Sequence, residues 1–215
     1  NIVSDFLPIL LANGGWVVDE NNKPTVDTPE FKEAVNYYLE LIGTGMAMSK
    51  DDLTAAVDNG SATLAIGWPG WYVPKADSAA NYMVSPSMAK EGGTAYNTSE
   101  YGTWCIGIPA NSPNPDLAME LLQYIMDPEV QLASVANGGV PCRYSCLTNE
   151  DVLKEYPHLA TVCEALENGV YRPTIAQWTE FTNILGAEMS NIMAGTKTTD
   201  QGLADAQTQL EALMQ

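Results

Sequence analysis

The residues that most restrict how this chain can fold are the glycines and prolines that punctuate it. Chief among them are Gly138-Gly139-Val140-Pro141 and, further on, Tyr171-Arg172-Pro173 ahead of Trp178. A glycine pair ending a helix, a proline fixing the exit, and a second Arg-Pro turn opening a helix near an aromatic ring concentrate special backbone requirements in few residues. Such turns position something. Both arginines of the chain, Arg143 and Arg172, lie within two residues of one of these prolines.

At 215 residues and 46% hydrophobic content, the chain can bury a core as one large domain or two small ones. Nine Lys and Arg against 27 Asp and Glu leave a formal charge of -18, which repels phosphate backbones and anionic lipid headgroups. Nucleic acid and lipid surfaces are therefore poor partners. No run of 18 apolar residues occurs, so no bilayer-spanning segment is expected, and no basic segment followed by an apolar core opens the sequence. A signal peptide is absent, removed or left out of this stretch.

The four cysteines, Cys105, Cys142, Cys146 and Cys163, permit three pairings in an oxidising compartment. Buried free thiols and a Cys142–Cys146 bridge are both open. A zinc site drawing on Cys142, Cys146, His158 and Cys163 is disfavoured, because residues five apart on a helix sit about 140° from each other, turning His158 and Cys163 away from one metal. No metal or cofactor site is expected.

In chain order, Phe6 to Ala12 reads as a short apolar helix stopped by Asn13-Gly14-Gly15, with Trp16-Val17-Val18 as a brief strand. Thr28-Pro29-Glu30 opens a helix, with Thr28 as N-cap and Phe31, Val35, Tyr38, Leu39 and Ile42 at helical spacing. Asp51 to Asp58 is a shorter helix. Ala62 to Ile66 fits a buried strand that delivers Gly67-Trp68-Pro69-Gly70-Trp71-Tyr72, where three aromatics in a tight turn cannot all pack inward. A helix from Trp71 to Ala79, a strand at Tyr82-Met83-Val84 and a long polar loop from Ser85 to Ser99 follow. Tyr101 to Ile108 reads as the next strand. Asn114-Pro115 opens a helix with Leu117, Leu121, Leu122 and Ile125 on one face, and Asp127-Pro128 opens another that runs to Asn137. The last third is helical: Pro157 to Asn168, Gln177 to Ala194, and Thr199 to Met214.

Catalytic patterns are missing. The single histidine, His158, sits after Tyr156-Pro157 at a helix start and reads as a surface cap, a poor base for a Ser-His-Asp or Cys-His relay. No nucleophile elbow, zinc-protease helix, phosphate loop, dinucleotide fingerprint or EF-hand loop occurs.

The order of these segments resembles the extracellular solute-binding proteins of bacterial ABC importers, in the branch similar to maltose-binding protein. Ala12-Asn13-Gly14-Gly15 with Thr28-Pro29-Glu30 is similar to that family's A-x-G-G turn and following helix, and Gly60 to Trp71 to its G-x-A-x-M…G-x-W segment. Gly102 to Ile108, Ser112 to Pro115 with Ala118, Pro128 to Gln131, Gly138 to Pro141, Arg172-Pro173 with Trp178, and Gly195 with Leu203 continue the match across nearly the whole chain. Leu64 stands where methionine is usual and the spacing is irregular, so either Trp68 or Trp71 takes the stacking role.

The resemblance implies an α/β lobe of the periplasmic-binding-protein kind, a mixed sheet flanked by helices with a mostly helical final third. It implies second-lobe portions at 1–107 and 141–215, joined by a 108–140 segment that in the family crosses into the first lobe. It further implies a non-enzymatic receptor, extracellular or periplasmic and lipid-anchored at full length, that delivers a sugar or oligosaccharide to a membrane permease. Trp68, Trp71, Tyr101, Gly102, Thr103, Arg172 and Trp178 are the expected solute-binding residues: sugars pair stacked aromatics on their C–H faces with polyvalent hydrogen-bonding groups at their rims. A receptor for a peptide or organic anion, with Arg172 clamping a carboxylate, and a carbohydrate-active enzyme are the alternatives. The apolar stripe Leu117, Leu121, Leu122 and Ile125 is expected to be covered, by the chain itself or by a second copy.

Overall fold

The computed structural model describes residues 2–46, 48–72, 78, 87–88, 96–97, 99–167 and 169–215. A capping side chain or a proline at the first position sets several of the helix starts. Helix α1 spans Ile2–Ala12, α2 Pro29–Gly43 and α3 Lys50–Asp58, followed by a 3-10 turn at Pro69–Trp71. Strands β1 (Ser87–Met88), β2 (Tyr96–Asn97) and β3 (Ser99–Tyr101) come next, then α4 (Pro115–Ile125), α5 (Pro128–Val135), α6 (Tyr144–Leu147), α7 (Glu150–Glu155) and α8 (His158–Glu167). Strand β4 (Gly169–Tyr171) and helices α9 (Trp178–Met193) and α10 (Thr199–Leu213) complete the chain. The Thr28 hydroxyl accepts from the Phe31 N–H, the Asp127 carboxylate from the Glu129 N–H, and Thr198 with Gln201 forms a full capping box, each satisfying donors that a helix start leaves unpaired.

The chain divides into two compact units. The first comprises Asn1–Ala47, Pro86–Tyr101 and Asn168–Gln215. Its core joins α1, α2, α9 and α10 through Phe6, Leu7, Leu10, Phe31, Val35, Phe181, Leu185, Met189, Leu203 and Leu210. Gly202 lets α10 close on α9, since a Cβ there would lie 2.6 Å from Ile192 Cγ1. Gln207 of α10 clamps the entry to α2: its Oε1 accepts from the Val26 N–H at 2.9 Å and its Nε2 donates to the Pro24 carbonyl at 2.8 Å. Strands β3 and β4 pair in parallel, with Ser99, Glu100 and Tyr101 opposite Gly169, Val170 and Tyr171. Strands β1 and β2 form a separate antiparallel pair.

The second unit comprises Met48–Ser85 and Gly102–Glu167. The segment expected over 108–140 lies inside the longer 102–167 stretch. Its core is small: Val135, Leu147, Leu159, Val162 and Cys163, with Val152, Leu153 and Tyr156 packed against them. Gln131 ties the exit of α5 to α4, donating from Nε2 to the Ile125 carbonyl at 2.8 Å and accepting at Oε1 from the Cys142 N–H at 2.9 Å.

Several sequence expectations are corrected. Ala62 to Ile66 is neither a strand nor buried: among the described residues no strand lies beside it to take its backbone hydrogen bonds, and Leu64 is 69% exposed. The strand expected over Tyr101–Ile108 ends at Tyr101, where its partner β4 also ends, and Trp104 beyond it is 97% exposed. Among the described residues Trp16 to Val18 makes a single bridge, Val18 to Pro24, in place of a strand. Within one copy the α4 stripe is covered only in part, with Leu122 and Ile125 half-buried, Leu117 65% exposed and Leu121 also exposed. His158 is buried, at 8% exposure, because its ring meets the rings of Tyr72 and Tyr156. Helices α6 and α7 and strand β4 went unforeseen, although Asn149 ahead of Glu150-Asp151 carries a cap signature that the structure uses: its side chain accepts from the Asp151 and Val152 N–H groups. The helix expected beyond Tyr72 and the strand at Tyr82–Val84 lie outside the described residues, apart from Ser78.

Candidate functional site

Two groups of residues stand out, one in each unit. In the second unit, the turn from Gly67 to Tyr72 is locked by its own backbone: the Trp71 N–H donates to the Trp68 carbonyl at 2.9 Å and the Tyr72 N–H to the Pro69 carbonyl at 3.1 Å. Pro69 supplies the backbone angle for the first position of this 3-10 turn. The indole of Trp71 folds back over Gly67, where a Cβ would lie 2.6 Å from its Cε3; glycine is thus required for that ring to lie flat against the chain. Trp68 and Trp71 are both half-buried. Val140, from the Gly138–Pro141 turn, lies beside Gly70, its Cγ2 4.0 Å from where a Cβ would stand. Gly138 takes φ +80, a left-handed angle that glycine adopts without strain, and so ends the helical run. The Gly67–Tyr72 turn and the Gly138–Pro141 turn are therefore neighbours.

Tyr72 extends this group. Its ring meets the His158 imidazole edge to face at 4.9 Å and 67°, joining the end of the tryptophan turn to the start of α8. On its other side His158 meets Tyr156 at 6.3 Å and 88°. Burial pushes the His158 pKa below its ordinary value, since a low-dielectric surrounding disfavours the charged ring. Gly102 and Thr103, also in this unit, are exposed in the irregular segment after β3.

In the first unit, the β3–β4 register sets Tyr101 opposite Tyr171, with ring centroids 4.6 Å apart at 61°. The Tyr101 ring also covers Gly169, where any side chain would be driven into it. Arg172 follows directly after β4, and its Nε donates to the Glu100 carboxylate, whose side chain is only 2% exposed. Burial raises the Glu100 pKa and the Arg172 guanidinium opposes that rise. Arg172 is thus the counter-ion of a buried carboxylate, a role that sequence reasoning missed because Glu100 carries no motif. Trp178 stacks on Phe181 at 5.5 Å and 23° and packs against the core, so one of its faces is already committed.

Of the expected residues, the structure joins Trp68 with Trp71, and Tyr101 with Arg172 on adjoining strand ends. The thiols of Cys142 and Cys146 are unbridged, the first exposed and the second buried. Among the described residues no group of His, Cys, Asp or Glu is arranged to hold a metal ion, and no helix is long and apolar enough to cross a membrane.

Comparison with known proteins agrees with this architecture. Residues 3–161 match the family model described as bacterial extracellular solute-binding protein. A probable amino-acid ABC transporter periplasmic-binding protein of Sinorhizobium fredii is 21% identical over 219 aligned positions, covering 97% of this chain and 49% of the relative. Among solved structures, the maltose-bound MalE3 protein of T. maritima aligns over 99% of this chain and 57% of its own, with a TM-score of 0.79 at 22% identity. A solute-binding protein of Agrobacterium radiobacter K84 in complex with ribitol aligns over 99% of this chain and 56% of its own, with a TM-score of 0.80 at 20% identity. The chain spans about half the length of the curated relatives it matches.

Proposed function

The chain belongs to the bacterial extracellular solute-binding proteins, and from that premise we propose that it is part of the solute-capturing receptor of an ABC importer, taking up a sugar, an oligosaccharide or a polyol. The receptor works outside the cytoplasm or in the periplasm, anchored by lipid at full length, and hands its solute to a membrane permease. It makes and breaks no covalent bond.

The observation that carries this reading is the Gly67–Tyr72 turn. It holds two indoles half-buried on a rigid backbone, the arrangement that stacks against the C–H face of a sugar ring at little entropic cost. Two structural neighbours with TM-scores of 0.79 and 0.80 hold maltose and ribitol, which supports the same chemical class here. Gly102 and Thr103, in the same unit as this turn, are proposed as further polar contacts, while Tyr101, Arg172 and Trp178 are candidates in the other unit. An amino acid is the second reading, suggested by the description of the Sinorhizobium fredii relative. Its carboxylate would draw on Arg172, which already serves Glu100, and for that reason the saccharide reading is preferred. The 108–140 segment is also a surface for self-association, since α4 leaves Leu117 and Leu121 exposed.

Calorimetric titration with monosaccharides, oligosaccharides, polyols and amino acids tests the proposal. Heat that saturates with at least one saccharide or polyol, and falls when Trp68 or Trp71 is replaced by alanine, is expected. Saturable heat with amino acids alone would overturn it. Affinity should be on the order of millimolar, because receptors of this class hold solute by closing two lobes around it and this chain spans about half of its relatives.

A further inference from the structure

The chain's only histidine lies in contact with the tryptophan turn rather than at the surface. Its ring meets those of Tyr72, the residue that follows the 3-10 turn, and Tyr156, the residue that follows α7. The same turn is tied internally, from Tyr72 back to Pro69 and from Trp71 back to Trp68 and Gly67. Tyr72 is thus linked to the segment that carries both indoles by two backbone hydrogen bonds and one ring contact. All of these residues belong to the second unit.

We propose that His158 is a positioning residue for the Trp68–Trp71 turn: neutral, it holds Tyr72 and thereby the two indoles in place, and protonation loosens that hold. The titratable side chains facing the imidazole are Tyr72 from the turn and Tyr156 from the end of α7, the latter hydrogen-bonded to Glu155. The hydrogen bond to Glu155 raises the Tyr156 pKa above its ordinary value, and a histidine changes charge between about pH 5 and pH 8, so a change at the turn that follows the His158 midpoint over that interval reports His158. A charged imidazole needs water or an acceptor, and its burial at 8% exposure supplies too little water for both nitrogens. Solute capture then weakens on mild acidification; that consequence rests on the stacking role of Trp68 and Trp71, whereas the coupling of His158 to the turn does not.

The test is made without solute, on the 215-residue chain labelled with fluorotryptophan. Because there is one histidine, its C2–H proton signal reports the His158 titration with no assignment needed. Fluorine signals are assigned by replacing each tryptophan in turn and are followed over the same pH range. The signals of Trp68 and Trp71 should move with the midpoint of the His158 proton, and those of Trp16 and Trp178, in the other unit, should not. His158→Phe, which keeps an aromatic ring in the site, should leave the Trp68 and Trp71 signals flat. Tyr72→Leu should flatten them while His158 still titrates. Trp68 and Trp71 signals that ignore the His158 midpoint, or that respond equally in His158→Phe, overturn the proposal. A sugar failing to bind would leave this result untouched, so the two readings fail separately.

Discussion

Glu100 and Arg172 show how a side chain's surroundings decide its role. A carboxylate with 2% of its side chain exposed needs its cation, and losing one partner of a buried pair costs far more than losing both. Arg172→Gln is expected to lower unfolding stability by roughly 3 kcal/mol, with most of that recovered in the Glu100→Gln, Arg172→Gln double variant. Chemical denaturation of wild type and the two variants measures it, and equal losses in the single and double variants would refute the pairing. At His158 the sign runs the other way with acid. Burial depresses the folded pKa below the unfolded value of about 6.5, so above that pH both states are neutral and nothing is lost. As pH falls below it the unfolded chain takes a proton that the folded chain resists, and stability drops until the folded pKa is reached. The stability of wild type minus that of His158→Phe should therefore decline between about pH 7 and pH 5, where the histidine titrates; a flat or rising difference would contradict burial of a neutral ring. The tryptophan turn was legible from composition, because three aromatics among glycines and a proline cannot all turn inward. The pairing of Glu100 and the burial of His158 were not, since both depend on partners brought from distant stretches.

Among the elements, those with strong local chemistry matched expectation most closely. Thr28-Pro29, Asp127-Pro128 and Thr198 start helices where their caps dictate, because a cap is satisfied within three residues of itself. Strands behaved differently. Leu64 and Ile66, like Trp104 and Ile106, alternate as half-buried strands do, yet both segments lack a strand neighbour among the described residues. Alternation tells what a segment can pair with and says nothing of whether a partner is at hand. Helix α4 has a related pattern: Leu117, Leu121 and Tyr124 line one exposed side, while Ala118, Leu122 and Ile125 on the next are only partly covered. A helix apolar over so much of its circumference suits a place between two layers. Self-association through α4 is expected at high protein concentration, and Leu117→Lys with Leu121→Glu should abolish it with little change in stability, both positions being exposed. Sedimentation that finds a strict monomer in wild type at every concentration would remove this expectation.

Across the molecule, the family and the α/β class were readable because glycine and proline punctuation is spread along the whole chain, whereas the division into two units depends on long-range contacts that no local pattern encodes. The first unit holds the larger core, built on four helices; the second is smaller and carries the tryptophan turn and the Gly138–Pro141 turn. A net charge of -18 keeps the exposed apolar surface of such a chain in solution and favours an uncharged solute over an anionic one. The central claim is that the tryptophan turn receives a saccharide or polyol. Its most direct test is titration of the fluorotryptophan-labelled chain at neutral pH with maltose, ribitol and a set of amino acids, each taken to about 50 mM so that affinities near 1 mM, worth about 4 kcal/mol, are saturated. The account predicts that a saccharide or polyol shifts the Trp68 or Trp71 signal along a saturating curve while amino acids leave both in place. Saturable shifts of those signals with amino acids and none with any saccharide or polyol would contradict it.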